Sequence, residues 1–183
     1  MVWQAPASLN IADYFLFDRI REGQGDRVAI RTAGGNLTYR DVGELTNGFR
    51  RRMDFEGVAP EDRVLIALPD GSDFAASIFG ILAAGAVAVM INPELRADHL
   101  GAILDSTRAP LAVVAPEYRG VLEAAMTHSR HQPRLLEIAS GSVEPARSPT
   151  DCYPRGPESP AIWLFSGGTT GVPKIVVQRH GSF

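Results

Sequence analysis

Arg63-Val64-Leu65-Ile66-Ala67-Leu68, closed by Pro69-Asp70-Gly71, opens a run of elements that ends at Leu111-Ala112-Val113-Val114. The first six residues form an almost continuous apolar stretch, the pattern of a strand buried on both faces. Phe74 to Ile91 follows without a charge, and its 18 residues reach the nominal length of a membrane span. Its composition argues against a span. It is alanine-rich and helix-like up to Gly85, β-branched beyond it, interrupted by Gly80, and flanked by neither a basic cluster nor an aromatic belt. A buried helix ending at Ala84 and a buried strand Ala86–Ile91 account for it. Ser72 or Asp73 is expected to cap that helix and Gly85 to stop it.

Outward from this run the alternation continues. Asn92-Pro93 closes the strand, a helix is expected from about Ala97 to Ser106, and Leu111–Val114 is another apolar strand. Glu117–Thr127 reads as a helix and Leu135–Ile138 as a short strand. Alternating strands and helices, with several strands apolar throughout, predict an α/β fold with a mostly parallel sheet and helices on both faces. Toward the N-terminus, Asn10 can cap a helix over Ile11–Ile20 with Ile11, Tyr14, Phe15, Phe17 and Ile20 inward. Arg27–Arg31 and Leu37-Thr38 read as strands around a Gly34-Gly35-Asn36 turn. Thr38 then caps a helix of about Tyr39–Phe55 that turns Val42, Leu45, Thr46, Phe49 and Met53 inward and stops at Gly57. Arg50-Arg51-Arg52 fits the solvated side of that helix near its C-terminus better than an anion patch.

Residues 1–139 are therefore expected to form one α/β unit. Residues 140–160 hold five of the chain's 13 prolines and read as a connection to a last segment, 161–183. Cys152 lies in that connection, with no nearby histidine, and is expected to be an incidental surface thiol. A lone cysteine excludes a disulfide framework and a cysteine zinc site, which fits a reducing, cytoplasmic setting. The net charge of −3 gives no basic excess for nucleic acid. The first residues lack the pattern of a signal peptide. His99, His128 and His131 lack metal or catalytic spacing, and His180 is expected to be a surface or subdomain-contact residue.

The segment that carries chemistry is Ser166-Gly167-Gly168-Thr169-Thr170-Gly171-Val172-Pro173-Lys174. Glycines allow several N–H groups to converge on an anion, and hydroxyls and an ammonium add donors that suit phosphate oxygens. Ala161–Phe165 before it and Ile175–Val177 after it read as strands. That setting excludes the Walker loop and the dinucleotide fingerprint, both of which open helices. A kinase Gly-rich loop also lies between strands, but its partner lysine comes well downstream.

Three features now stand in order: Leu37-Thr38-Tyr39-Arg40-Asp41-Val42, then Leu82–Val89 through Asn92-Pro93, then Phe165–Lys174. Together they resemble the N-terminal part of the adenylate-forming (AMP-binding) superfamily: acyl- and aryl-CoA synthetases, aryl acid–AMP ligases, peptide-synthetase adenylation domains and luciferases. The resemblance implies that ATP, with Mg²⁺, and a carboxylic acid give an acyl-adenylate and pyrophosphate. The acyl group then passes to a thiol, of CoA or of a carrier phosphopantetheine. It also implies that Ser166, Gly167, Gly168, Thr169, Thr170, Gly171 and Lys174 hold the nucleotide phosphates, while Tyr39 and Asn92 keep structural roles. Gly167 stands where most members have a hydroxyl residue, and Ile175 where many have glycine. The Ser-Gly-Gly-Thr-Thr-Gly form looks most like aryl acid–AMP ligases, which points to an aromatic acid.

The same resemblance places the catalytic lysine and the Mg²⁺-binding glutamate beyond residue 183. No catalytic or metal-binding residue is therefore assigned within the chain, and it is expected to be inactive alone and to self-associate through surface left uncovered. The alternative from another class is a non-catalytic nucleotide-binding or interaction module that complements a separate partner chain.

Overall fold

The computed structural model describes residues 6–32, 35–148, 151–166 and 174–183. Eight strands are found among them: β1 (Val28–Thr32), β2 (Gly35–Thr38), β3 (Arg63–Ala67), β4 (Val87–Met90), β5 (Leu111–Val114), β6 (Arg134–Glu137), β7 (Pro160–Ser166) and β8 (Lys174–Arg179). The α-helices are α1 (Tyr39–Phe55), α2 (Ser72–Ala83), α3 (Ala97–Thr107) and α4 (Arg119–Met126). β1 and β2 form an antiparallel pair of their own. The other six make one sheet in the order β6-β5-β3-β4-β7-β8, parallel except for the final β7–β8 pair.

The apolar strands are buried on both faces because successive side chains point to opposite sides. Val64 and Ile66 of β3 and Leu111 and Val113 of β5 pack with Phe49 and Met53 of α1 and Ala76 and Ile81 of α2. Leu65 and Ala67, with Ala112 and Val114, pack with Leu100, Ile103 and Leu104 of α3 and Leu122 and Ala125 of α4. The sheet thus has helices on both faces, as the alternation predicts. The charge-free run divides into α2 and β4, and among the described residues no helix is long and apolar enough to cross a membrane.

Local chemistry sets the boundaries. Thr38 and Asp41 form a capping box, with the Asp41 N–H donating to Thr38 Oγ1 at 3.2 Å and the Thr38 N–H to Asp41 Oδ2 at 2.8 Å. Hydrogen bonds to Thr38 hold the Asp41 carboxyl below its ordinary range. At the other end Gly57, at φ 72°, lets Val58 N–H reach Met53 O and its own N–H reach Asp54 O, the paired bonds of a Schellman stop. Gly85, at φ 75°, ends α2 in the same way through Ala86 N–H to Ile81 O and Gly85 N–H to Leu82 O.

Several expectations need correction. The first helix has Asn10 as its cap, with the Ala12 N–H donating to Asn10 Oδ1 at 2.9 Å. Beyond the cap its turns are of the wide π type over Asp13–Phe17 and Ile20–Gln24, so it runs past Ile20. A wider turn shifts the buried face. Leu16 and Phe17 lie inside, five residues after Ile11 and Ala12, while Phe15 is 42% exposed rather than inward. Gly35 and Asn36 belong to β2 rather than to a turn, and Gly34 lies outside the described residues. Neither Ser72 nor Asp73 caps α2. Gly71 holds the cap position without a side-chain bond, and Asp73 Oδ2 accepts from the Gly141 N–H at 2.6 Å.

The described residues between β6 and β7 form no helix or strand, but they are not loose packing. Val143 enters the core beside α1, the Ala146 N–H donates to Glu44 O at 2.8 Å, and the Tyr153 N–H to Ala83 O at 2.8 Å. Cys152 is accordingly not a surface thiol. It packs beside the cluster of Ile11, Leu16 and Val42, and burial, ahead of the nearby Asp13 carboxylate, pushes its pKa up to about 12. Little of it is thiolate at neutral pH.

Candidate functional site

β7 ends where the glycine-rich stretch begins, and β8 begins where it ends. The two strands pair from Pro160↔Arg179 to Phe165↔Ile175, and the last pair is Ser166↔Lys174. Alternation along β7 explains its register: Trp163 and Phe165 join the α3–α4 face, and Ile162 turns to the α1–α2 face. Residues directly opposite in an antiparallel pair share a face, so Ser166 and Lys174 stand on the same side, together with Ile162 and Leu164. β7 runs parallel to β4, which puts Ser166 at the carboxyl edge of the sheet. Gly167, Gly168, Thr169, Thr170 and Gly171 lie outside the described residues, so of the expected phosphate-binding set the structure places Ser166 and Lys174.

Lys174 is exposed and, among the described residues, is in no ion pair. It is also the only lysine; the other basic residues of the 18 are arginines. An ammonium that is not neutralised, beside a hydroxyl at the end of a paired hairpin, is suited to an anionic group. No group of three or more His, Cys, Asp or Glu among the described residues is arranged to hold a metal ion. Tyr39 opens α1, its N–H donating to Arg27 O at 3.0 Å. Asn92 closes β4 by accepting from the Glu94 N–H at 2.9 Å.

Of the two positions expected for His180, surface or contact, the structure shows a contact. His180 is fully buried, and its Nδ1 accepts from the Ile11 N–H at 3.0 Å. Its own N–H donates to Ser159 O, and the Gly181 N–H to Pro157 O. Burial, with a smaller contribution from Arg155, lowers its pKa to about 4. His180 therefore holds the far end of the hairpin against the first helix, 169 residues away in sequence. No local pattern announces a contact of that separation.

Residues 17–183 match the family model for AMP-binding enzymes. The chain is 32% identical over 176 residues to a salicyl-AMP ligase/salicyl-S-ArCP synthetase of Mycobacterium tuberculosis, covering 86% of this chain and 31% of that protein. It is 26% identical to a 3-hydroxybenzoate–CoA/4-hydroxybenzoate–CoA ligase of Thauera aromatica, covering 98% of this chain and 36% of the relative. The anthranilate CoA ligase AuaEII, solved with anthranoyl-AMP, superposes with a TM-score of 0.83 at 23% identity, covering 96% of this chain and 34% of that one; a likeness at that identity speaks to the fold. The chain spans about a third of the length of the curated relatives it matches. These matches do not favour the non-catalytic alternative.

Proposed function

The chain belongs to the AMP-binding enzyme family, and from that we propose that it is the N-terminal part of an ATP-dependent carboxylic acid ligase. The complete enzyme would form an acyl-adenylate and pyrophosphate and pass the acyl group to a thiol of CoA or a carrier protein, in the cytoplasm. Its organisation would be an α/β unit over 1–139, a connection over 140–160 and the strand–loop–strand of 161–183. The observation that carries the proposal is the Ser166↔Lys174 pair, closing an antiparallel hairpin at the carboxyl edge of the parallel sheet.

Ser166 and Lys174, with Gly167, Gly168, Thr169, Thr170 and Gly171 between them, hold the β- and γ-phosphates in this proposal. Attack of a carboxylate at the α-phosphate sends negative charge onto the departing pyrophosphate. Donors fixed in place ahead of the reaction stabilise that charge more than they stabilise the ground state. The Lys174 ammonium and the Ser166 hydroxyl, on one face of a paired hairpin, are donors of that kind. Mg²⁺ would supply further charge neutralisation in the complete enzyme, but the described residues contain no ligand set for it. An aromatic acid is the proposed substrate, supported by the Ser-Gly-Gly-Thr-Thr-Gly form and by relatives named for salicylate and hydroxybenzoates.

ATP–pyrophosphate exchange with salicylate and the hydroxybenzoates tests the proposal of incompleteness. The 183 residues alone should give no exchange above the rate without protein; robust exchange would contradict it. Leu164 of β7 and Ile175, Val176 and Val177 of β8 are between 37% and 44% exposed, on a sheet edge with no further strand among the described residues. Surface of this kind favours self-association. Light scattering should show mass rising with concentration, and a clean monomer at high concentration would contradict that expectation.

A further inference from the structure

β8 has little of its own to keep it in place. It is the outermost strand of the sheet, with β7 on one side and no strand on the other among the described residues. Of its six residues only Gln178 is partly buried, and the rest are exposed. A strand that buries neither face is weakly specified by its side chains. β7, by contrast, is held on both edges and by its side chains: Ala161 lies in the core, and Ile162 and Trp163 pair with β4. Yet Lys174, the first residue of β8, stands opposite Ser166 of β7.

His180, directly after β8, is tied to a fixed post. Its Nδ1 takes the Ile11 N–H, a first-turn group with no carbonyl of its own helix to bond. The residues beside Ile11 are bound in turn to other parts of the chain. The Leu9 N–H donates to Arg155 O, and Asn10 Nδ2 donates to Leu82 O of α2 at 2.7 Å and to Tyr153 O at 2.9 Å. The backbone bonds next to the latch, from His180 to Ser159 and from Gly181 to Pro157, join the end of β8 only to residues just ahead of β7. Among these bonds the imidazole alone reaches the core post. Nε2, the ring nitrogen that carries the hydrogen when Nδ1 accepts, is buried with no partner among the described residues. Such an N–H is costly, and an apolar side chain would avoid the cost. What the imidazole adds here is the directed bond to Ile11.

The strand pairing and the latch are set separately. β7 runs one residue longer than β8 between Pro160↔Arg179 and Ile162↔Gln178, a bulge that takes up the offset between the ladder and the anchored base. We propose that His180 is a positioning residue for the phosphate hairpin. Through Ile11 it fastens β8 to the core and so keeps Lys174 opposite Ser166, about 20 Å away at roughly 3.3 Å per residue. The positioning role rests on the reading of Ser166–Lys174 as a phosphate site; the fastening of β8 does not.

Amide ¹⁵N relaxation of the parent chain, His180→Leu and His180→Asn, followed by a pyrophosphate titration of the same samples, tests both parts. In His180→Leu the order parameters of Ile175–Arg179 should fall from about 0.85 toward 0.6, while those of β3, β4 and β5 stay at about 0.85. The midpoint for pyrophosphate should rise about threefold or more, because a smaller fraction of the chain has Lys174 in place. His180→Asn, whose side-chain oxygen can take the Ile11 N–H, should match the parent in both measurements. A loss of Tm alone, with β8 as rigid as in the parent, is what a merely structural histidine would give. Should His180→Leu fail to fold, Ile11→Pro removes the same donor at a first helical position that tolerates proline and should have the same two effects. Unchanged order parameters in β8, His180→Asn as mobile as His180→Leu, or a mobile β8 with an unchanged pyrophosphate midpoint would overturn the inference. A parent chain that binds no pyrophosphate would overturn the phosphate reading instead, and the order parameters would still decide the fastening.

Discussion

Gly48→Ala is expected to destabilise the protein by about 3 kcal/mol, lowering Tm by roughly 6–12 °C for a chain of this size. Helix propensity alone predicts the opposite. Gly48 lies within α1, where alanine is better than glycine by about 1 kcal/mol. Packing decides the sign. A Cβ at Gly48 would stand 1.8 Å from the Glu144 carbonyl oxygen, so the backbone over 143–146 would have to lift from α1. Val143 would leave the core and the Ala146 N–H would lose Glu44 O. Thermal unfolding checks this, and a Tm equal to or above that of the parent chain would mean that the connection does not rest on α1.

Lowering the pH from 7 to about 4 is expected to remove about 2 kcal/mol of stability through His180, allowing for solvent screening. The sign follows from its depressed pKa. In the unfolded chain His180 takes a proton near its ordinary pKa of about 6.5, whereas the folded state resists protonation until about 4. Its contribution is complete above about pH 6.5, is lost as the pH falls from there through about 4, and does not change further below. The geometry gives the cause: Nδ1 accepts the Ile11 N–H, and a proton there would set donor against donor in a buried space. Denaturant unfolding across this range should show the loss in the parent chain and a shallower slope in His180→Asn. Identical slopes would show that His180 is not the group responsible.

Both effects lie where the sequence was least legible. Short-range pattern was readable. The apolar strands, Thr38 as a cap, and Gly57 and Gly85 as stops each depend on residues within one or two turns of one another, and Tyr39–Phe55 and Leu111–Val114 form over the expected spans. The inward face of the first helix differs from the one its sequence spacing predicts because a 3.6-residue period does not hold where the turns are wide. Ser72 and Asp73 are the local candidates for the cap of α2, but the Gly141 N–H competes for Asp73 across 68 residues. The burial of Cys152, and the choice for His180 between a surface position and a contact, are not legible in the sequence because both depend on distant partners. At the candidate site, composition and order were legible in the sequence, but the pairing of Ser166 with Lys174 needed the sheet.

Because Lys174 is the only lysine, acetylation by an amine-reactive ester, followed by peptide mass spectrometry, reports on one ε-amine, with the α-amine as internal control. If Ser166–Lys174 grips the β- and γ-phosphates, millimolar pyrophosphate or ATP should slow acetylation of Lys174 several-fold. AMP should not, and the α-amine should react at the same rate throughout. A Lys174 rate unchanged by pyrophosphate and ATP, or slowed equally by AMP, would contradict the assignment of this hairpin as a phosphate site.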